Sequence, residues 1–330
     1  MTTGHAPVRQ LDHLAIAELT HAVRHVHADT RTCANRSDPL PRVARAAARL
    51  SAATRAYCRP VDTDHGLYVL RGLQVDDTDI GVTPASWATA GDSGAFWDLV
   101  LLLLASAMGR PMAWEGQQGG RFVHNIVPAP GREREQTGAS SEVLLSPHTE
   151  DAFHPGRAHL LLLGCLRNHD AVATTAASVR RARLTEADVT TLCRAELPIL
   201  PDDAYTRARG LTGSAPAVPT LWRDEQGPAL RFDPAYTPLE RASDTYRAAY
   251  RRLAAELERV STSVSLSPGE VLVLDNDLVV HGRAPFTARY DGTDRWLKRA
   301  SVRVPGRRTR PVAENREDGY GHAVLEAYDD

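Results

Sequence analysis

Residues 143–150 read Val-Leu-Leu-Ser-Pro-His-Thr-Glu, a short apolar run that leads into a histidine and a glutamate two positions apart. Side chains two residues apart on a β-strand point to the same face of the sheet. On a strand, His148 and Glu150 can therefore bind one metal ion, whereas a helix would point them in different directions. The stretch predicts a strand that carries two metal ligands.

The composition limits how much this short motif can mean. With 13 histidines and 41 acidic residues among 330, one or two His-x-acid triplets are expected by chance, and the chain has two. The other is His27-Ala28-Asp29, in a segment with helical spacing of apolar residues. A solvated helix face is the favoured interpretation of that second triplet.

A third metal ligand has to come from a distant part of the chain. His281 follows the turn Ser267–Glu270 and the apolar run Val271–Leu274, which is typical of a strand. Two histidines and one carboxylate leave open coordination positions, as in the non-haem iron(II) oxygenases. His148, Glu150 and His281 are thus the candidate iron ligands.

Two arginines, Arg295 and Arg299, lie four residues apart shortly after His281. In an alternating strand both side chains share one face, which would place two fixed cations near the metal. Guanidinium groups bind carboxylates through paired hydrogen bonds. Carboxylate-bearing small molecules are the ligands that this pattern favours.

The overall composition excludes several classes of protein. The formal charge is −2, from 39 Lys plus Arg against 41 Asp plus Glu, which argues against nucleic acid as a partner. Four widely spaced cysteines without a CxxC pair predict free core thiols in a reducing compartment, namely Cys33, Cys58, Cys165 and Cys193.

The apolar runs of the sequence do not indicate a membrane protein. The first twenty residues lack an unbroken apolar core of a secretory signal. The longest apolar run, residues 96–108, falls short of the roughly 20 residues that cross a bilayer and contains Asp98. It predicts a buried helix, and a cytoplasmic location is expected.

Periodicity predicts a single domain over residues 1–330. Helices open the chain and form a cover over 1–65, and a β-rich core follows over 66–310. Helices are also expected after Thr185 and from Asp244 to Val260. The Gly, Pro and Thr content of about 202–225 predicts a lid loop. The class is α+β with a mainly β core, as an antiparallel barrel or jelly roll.

The ordered motifs resemble those of the clavaminate synthase-like oxygenases, and most closely the arginine 3-hydroxylases of peptide-antibiotic pathways. The motifs are Ser146–Pro155, Val172–Thr175, Pro201–Asp203 and His281–Arg283 with Arg295 beyond them. The resemblance implies a double-stranded β-helix, an Fe(II) centre and 2-oxoglutarate and O2 as cosubstrates. Each piece is weak alone, but their order over about 115–305 is specific.

The resemblance also implies roles for single residues. Arg295 and the Thr175 hydroxyl would bind the 2-oxoglutarate carboxylate, and Arg299 the carboxylate of an amino-acid substrate. Gln117 would contact the substrate amino group, and Asp202 on the lid a guanidinium. By the same resemblance His154 lies beside the metal ligands without binding the metal.

The chain departs from the arginine hydroxylases at one point. Where they carry a second acidic pair, Asp233-Pro234-Ala235 keeps only the first acid. The predicted reaction is therefore β-hydroxylation of L-arginine or of a cyclic relative such as enduracididine, in specialised metabolism. An asparagine-type hydroxylase or a desaturase remains an alternative.

Two further classes are compatible with His and Glu ligands. A zinc hydrolase would use the same donors, but the chain has no HExxH motif and the arginines would have no role. A non-enzymatic barrel that binds a metal or small ligand is the other. Formation of succinate that requires iron and 2-oxoglutarate distinguishes all three.

Overall fold

The N-terminal region folds because its apolar residues recur every three or four positions. The computed structural model describes residues 6–29, 39–61, 63–92, 94–202, 205 and 216–326. Helix α1 (His13–Asp29) buries Ala15, Leu19, Val23 and Val26 on one face. Within the predicted helical cover, residues 40–57 form two helices, because Ser51 lies between them and caps the second by accepting a hydrogen bond from the Thr54 amide. These are α2 (Leu40–Arg49) and α3 (Ala52–Tyr57).

The later helices follow the sequence prediction closely. Helix α4 (Asp77–Ile80) is short, and α5 (Ala95–Met108) is buried on almost all sides. Thr185 caps α6 (Glu186–Leu192), and Ser243 caps α7 (Asp244–Val260). Among the described residues, no helix has both the length and the apolar character needed to traverse a bilayer.

Two larger sheets, together with the two-stranded pairs β8-β9 and β10-β11, form the β structure of the described residues. The larger has the strand order β1-β2-β13-β6-β15-β3-β16, with β4 also paired to β15, and the smaller has the order β12-β7-β14-β5. The pairings are antiparallel except for β1 with β2. The strands are β1 (Val8–Gln10), β2 (Leu67–Arg71), β3 (Arg110–Trp114), β4 (Val123–Ile126), β5 (Leu145–His148), β6 (Leu160–Arg167), β7 (Thr174–Ser178), β8 (Ala195–Leu197), β9 (Val218–Pro219), β10 (Leu221–Asp224), β11 (Gly227–Leu230), β12 (Thr262–Val264), β13 (Val271–Asp275), β14 (Val279–Arg283), β15 (Trp296–Arg303) and β16 (Val324–Glu326).

A shared apolar core joins the two sheets. Leu161 and Leu163 of β6 belong to the same buried cluster as Val279 and Val280 of β14. Helix α7 adds Tyr246, among others, to this cluster. A second cluster lies on the other side of the larger sheet, where α1, α2 and α5 pack against it. The helices therefore cover one face of a sheet whose other face points towards the smaller sheet.

The predicted segment boundaries differ from the observed elements in three places. Strand β1 lies within the 1–65 cover, and β16 lies beyond residue 310, yet both pair with the larger sheet. The end of the predicted lid, 202–225, forms strands β9 and β10 instead of a loop. The rest of that prediction, 203–204 and 206–215, lies outside the described residues.

The cysteine prediction is only partly right. Cys58 and Cys165 are buried free thiols, whereas the free thiol of Cys193 is exposed. Cys33 lies outside the described residues. The exposed position follows from Cys193 directly ending α6 at the surface.

Buried ion pairs attach the C-terminal segment to the sheets. Arg231 holds Glu317 through two hydrogen bonds of 2.6 and 2.8 Å, and Arg157 holds Glu314 at 2.8 and 3.1 Å. Arg310 reaches back to Asp277 at 3.0 Å. The side chains of Arg157, Arg231, Glu314 and Glu317 are at most 3% exposed.

Candidate active site

Three predicted metal ligands come together between the sheets. His148 and His281 are directly paired across β5 and β14. The Nε2 atom of His281 lies 3.2 Å from Glu150 Oε2, and that of His148 lies 3.9 Å from it. The candidate ligand atoms of all three residues lie within 4.8 Å of one another. The structure therefore forms the cluster that the sequence predicts.

The strand geometry of the motif differs from the prediction in one respect. Strand β5 ends at His148, and Glu150 lies in the turn that follows. The Thr149 amide donates to the Phe232 carbonyl at 2.7 Å, and the Glu150 amide donates to Asn276 Oδ1 at 2.8 Å. These contacts hold Glu150 towards the two histidines although the sheet ladder has ended. Asn276 is a positioning residue that the sequence pattern did not reveal.

The protonation states in the cluster suit metal binding. His148 Nδ1 lies 2.8 Å from the Ser146 carbonyl, which leaves Nε2 facing the cluster. Burial and the neighbouring His281 lower the pKa of His148, so its imidazole is neutral. Burial opposes ionisation of Glu150, but Arg299 and the two histidines hold the pKa of this carboxyl well below its usual range. Neutral imidazoles and a carboxylate are the forms that ligate metal ions.

Arg299 lies beside the cluster with a partly exposed side chain. Its guanidinium contacts Glu150 Oε1, donates to Gln117 Oε1 at 3.2 Å and lies 2.9 Å from His124 Nδ1. Burial and the adjacent Arg299 charge lower the pKa of His124 to about 3, so this imidazole is neutral and can accept a hydrogen bond from the guanidinium. Gln117 and Arg299 are thus neighbours, as predicted. His124 was missed, because nothing in the run Phe122–Val127 distinguishes it from a core histidine.

Arg295 directly precedes β15, and its side chain lines the same cavity as Arg299, His148 and His281. Burial and the nearby charge of Arg283 lower the pKa of Arg295 to about 10. Nη2 of Arg295 donates to Thr174 Oγ1 at 3.1 Å. A buried guanidinium with a hydroxyl beside it is suited to an anionic ligand.

The predicted role of Thr175 is wrong in this structure, because Thr174 supplies the hydroxyl beside Arg295. Neighbouring residues of a strand point to opposite faces. Thr174 lines the cavity, whereas Thr175 pairs with Gly282 and its Oγ1 would lie 3.0 Å from a Cβ at that glycine. The sequence shows two adjacent threonines in 172–175. It does not show the strand register, which determines the one that lies beside Arg295.

Two carboxylates line a cavity that adjoins the metal cluster. Asp202 and Asp233 both border it, together with His148 and Glu150. Burial raises the pKa of Asp233 to about 6, and Asp202 adds to this rise. Oδ1 of Asp233 accepts from the amides of Ala235 and Tyr236 at 3.0 and 3.3 Å. Asp203, which belongs to the same predicted motif, lies outside the described residues.

The remaining histidine candidates do not join the cluster. Both ring nitrogens of His154 are engaged, one 3.0 Å from the His322 carbonyl and the other accepting from the Gly156 amide at 2.8 Å. His27 is exposed on α1. The interpretation of His27 as part of a solvated helix face is therefore consistent with the structure.

Comparison with known proteins places these features in a family. Residues 42–301 match the model of the taurine catabolism dioxygenase TauD, TfdA family. The chain belongs to this family. It is accordingly a dioxygenase, and the non-enzymatic alternative is excluded. The predicted resemblance to clavaminate synthase is confirmed by 31% identity to clavaminate synthase 2 of Streptomyces clavuligerus, over 74% of this chain and 76% of that protein.

Other relatives are amino-acid hydroxylases and oxygenases. An enduracididine beta-hydroxylase of Streptomyces hygroscopicus is 37% identical over 74% of this chain and 79% of its own length. An L-ornithine/L-arginine 3-hydroxylase of Catenulispora acidiphila is 31% identical over 72% and 76%. An L-asparagine oxygenase of Streptomyces coelicolor is 37% identical over 77% and 75%.

Solved structures agree with the fold. Asparagine oxygenase in complex with Fe(II), 3-hydroxyasparagine and succinate superposes with a TM-score of 0.82 at 30% identity, over 93% of this chain and 97% of that chain. The iron oxygenase OrfP with iron and alpha-ketoglutaric acid gives a TM-score of 0.79 at 33% identity, over 93% and 98%. These structures confirm for the family the two cofactors that the resemblance implied, iron and 2-oxoglutarate.

Proposed function

We propose that this dioxygenase hydroxylates a free guanidino amino acid, L-arginine or a cyclic relative such as enduracididine, at its β-carbon. It uses Fe(II), 2-oxoglutarate and O2, and it serves specialised metabolism. The observation that carries the substrate assignment is the pair Asp202 and Asp233 in the cavity beside the metal cluster. The double-stranded β-helix is part of the same proposal and rests on the two facing sheets.

His148, Glu150 and His281 would hold the iron. Their donor set of two imidazoles and one carboxylate is that of non-haem iron(II) oxygenases. Glu150 Oε2 is buried and has no hydrogen-bond partner among the described residues, while it faces both imidazoles. A buried carboxylate oxygen that has no donor and faces two imidazole nitrogens is suited to a metal ion. The residues present therefore fit an iron ion.

Arg295 and Thr174 would bind the distal carboxylate of 2-oxoglutarate. Arg295 is buried and forms no ion pair with a described acidic residue, and Arg283 lies near it as a second cation in the same cavity. Burial of an uncompensated guanidinium is costly unless a ligand supplies the negative charge. A dicarboxylate such as 2-oxoglutarate meets this need.

Arg299 and Gln117 would bind the amino-acid end of the substrate. Arg299 already shares its guanidinium with Glu150, Gln117 and His124, so its orientation is fixed before substrate arrives. A substrate carboxylate at Arg299 and an amino group at Gln117 Oε1 would place the α-carbon beside the metal cluster. Bound iron supplies the oxidising chemistry, and the protein side chains orient the β-carbon towards it and exclude water.

Asp202 and Asp233 would bind the far end of the substrate. Their mutual repulsion in a buried cavity is relieved when a cation lies between them. A guanidinium presents planar sets of N–H donors that can serve two carboxylates, which the compact ammonium of lysine does less well. The neutral amide of asparagine brings no positive charge to these two carboxylates, so the asparagine-type alternative is the weaker one.

A panel of free amino acids tests this proposal. The purified enzyme with Fe(II), 2-oxoglutarate and O2 is offered L-arginine, enduracididine, L-ornithine, L-lysine and L-asparagine, and mass spectrometry detects a gain of one oxygen atom. Hydroxylation of a guanidino amino acid with the highest kcat/KM is expected. A neutral amino acid as the best substrate would refute the assignment and favour the asparagine-type reaction.

A further inference from the structure

Tyr205 is a buried residue that lines the substrate cavity and has no role in the proposed chemistry. It is 1% exposed and follows Asp202 by three positions. Its hydroxyl donates to Asp151 Oδ1 at 2.7 Å. Burial raises the pKa of Tyr205 well above its ordinary value, so the phenol keeps the proton that it donates.

The acceptor of this hydrogen bond is itself firmly held. Asp151 directly follows Glu150, and its second oxygen, Oδ2, accepts from the Trp114 indole at 2.7 Å. Its backbone has a φ of 52°, in the left-handed region that non-glycine residues rarely adopt. Asp151 thus lies at a fixed point between the metal cluster and β3.

The Tyr205 ring is also fixed by aromatic neighbours. Its centroid lies 4.5 Å from that of Phe153, 4.9 Å from that of His322 and 6.1 Å from that of Trp114. Edge-on and tilted contacts at these distances are favourable and directional. The position of Tyr205 is therefore determined by residues of the core and not by the segment that carries it.

A backbone hydrogen bond connects Tyr205 to Asp202. Its amide donates to Asp202 Oδ1 at 3.1 Å, which orients the carboxylate at the border of the substrate cavity. We propose that Tyr205 is a positioning residue for substrate specificity, which orients Asp202 for the substrate cation by anchoring it to Asp151. This inference rests on the proposed function, because it takes Asp202 to contact the guanidinium.

Loss of the hydrogen bond from Tyr205 to Asp151 should change the KM for the substrate, and not only the stability of the protein. Without this hydrogen bond, Asp202 has to be ordered when the substrate binds, and the cost appears in substrate affinity. The metal ligands and the cosubstrate groups Arg295 and Thr174 make no contact with Tyr205. The substrate would be held less closely, so more 2-oxoglutarate would be consumed per hydroxylated product.

The test is a double-mutant cycle with Tyr205→Phe and Asp202→Asn, using L-arginine as the probe. Tyr205→Phe keeps the ring packing and removes one hydroxyl. Loss of one buried hydrogen bond corresponds to about fivefold to twentyfold, expected here as a rise in KM for L-arginine with 2-oxoglutarate KM unchanged. The double variant is expected to match Asp202→Asn alone, because without the Asp202 charge there is no carboxylate for Tyr205 to orient towards the substrate cation. Anaerobic calorimetric titration of L-arginine should show the same loss in Kd.

Tyr246→Phe is the matched control. Tyr246 is fully buried and its hydroxyl lies 2.7 Å from Thr220 Oγ1, and it is not among the residues that line the substrate cavity, so the same atom is lost outside that cavity. Its KM for L-arginine should stay at the wild-type value. Equal KM effects in Tyr205→Phe and Tyr246→Phe, or additive effects of Tyr205→Phe and Asp202→Asn, would overturn the inference.

Failure of the proposed function gives a different result. If the wild-type enzyme does not hydroxylate or bind a guanidino amino acid, the substrate assignment is refuted and the Tyr205 inference with it. If the wild type prefers L-arginine and the cycle is additive, the substrate assignment stands and only the Tyr205 inference is wrong.

Discussion

At the scale of single residues, the site depends on side chains whose partners are fixed before any ligand binds. Ser146 orients His148, Asn276 orients Glu150, and His124 lies against Arg299. Such contacts reduce the ordering that substrate and metal would otherwise require. Substitution of a single residue should therefore affect the binding of one ligand, which is the metal, 2-oxoglutarate or the substrate.

Alanine at His148, Glu150 or His281 should abolish succinate formation from 2-oxoglutarate, because three protein ligands leave none to spare. Iron content after anaerobic loading, measured by mass spectrometry, should fall in the same variants. His27→Ala is the control, since His27 is exposed on α1. Comparable loss at His27, or full activity without His281, would show that the metal site lies elsewhere.

The two adjacent threonines give a test of strand register. Thr174→Val should raise the KM for 2-oxoglutarate by about tenfold, the usual value of a hydrogen bond to a charged group, because its hydroxyl accepts from Arg295. Thr175→Val should leave this KM unchanged. Arg295→Ala should have the larger effect, since losing a buried charged partner costs about 2 to 5 kcal/mol. The reverse order of the two threonine variants would contradict the observed register.

The pKa of Asp233 predicts a pH dependence of substrate binding. Burial raises this pKa to about 6 in the empty site, and only the ionised form attracts a cation. The affinity for L-arginine should therefore be greatest above this pH and fall as the pH drops below it. In Asp233→Asn the affinity should be low, and the change in affinity centred near pH 6 should disappear. The measurement is the Kd of L-arginine at fixed ionic strength across that range, and an unaltered pH profile in the variant would contradict the assignment.

At the scale of elements, β15 serves the site on one face and the core on the other. Arg299 points to the metal cluster, whereas the neighbouring Lys298 points the opposite way and forms a 2.5 Å ion pair with Asp98 of α5. Both side chains of this pair are at most 6% exposed. The pair fixes the strand that carries Arg299 against the buried helix α5.

Lys298→Met should destabilise the protein by about 3 to 5 kcal/mol, because it leaves the Asp98 carboxylate buried without a partner. The double variant Lys298→Met with Asp98→Leu should recover much of this loss. The free energy of unfolding in urea measures both. Arg134→Ala provides a control, since the exposed pair of Arg134 with Glu142 should contribute less than about 1 kcal/mol. If Lys298→Met and Arg134→Ala lowered the free energy of unfolding by similar amounts, burial of the Lys298–Asp98 pair would not be the cause.

At the scale of the whole molecule, the C-terminal segment completes the domain. Its acidic residues Glu314 and Glu317 neutralise Arg157 and Arg231, which are buried beneath it. Strand β16 then pairs with β3 of the larger sheet. A β core that ends at residue 310, as the sequence suggested, would lack these partners.

A chain truncated after Arg310 should fail to fold. Each buried charge left without its partner costs about 3 to 5 kcal/mol, and the stability of a whole domain is about 5 to 15 kcal/mol. Circular dichroism and the yield of monodisperse protein measure the outcome. A chain that ends at Glu326 is the control and should keep the native spectrum. A native, cooperatively unfolding product from the shorter chain would restore the predicted boundary at 310.

What the sequence by itself determined are the features that depend on local spacing. The motif of His148 and Glu150 and the interval from Arg295 to Arg299 identified residues that meet in one cavity, although tertiary contacts and not the strand hold Glu150 there. The helices α1, α5 and α7 follow from periodicity and from caps such as Ser243. The single-domain organisation and the cytoplasmic location stay predictions.

Only the tertiary structure decided the contacts that depend on register between distant strands. The choice of Thr174 over Thr175 follows from the pairing of β7 with β14, and the approach of His124 to Arg299 from the pairing of β4 with β15. The bond from Tyr205 to Asp151 joins residues 54 positions apart. Local spacing leaves such pairings open, because a shift of one residue reverses every side chain and only packing of the complete core selects one register.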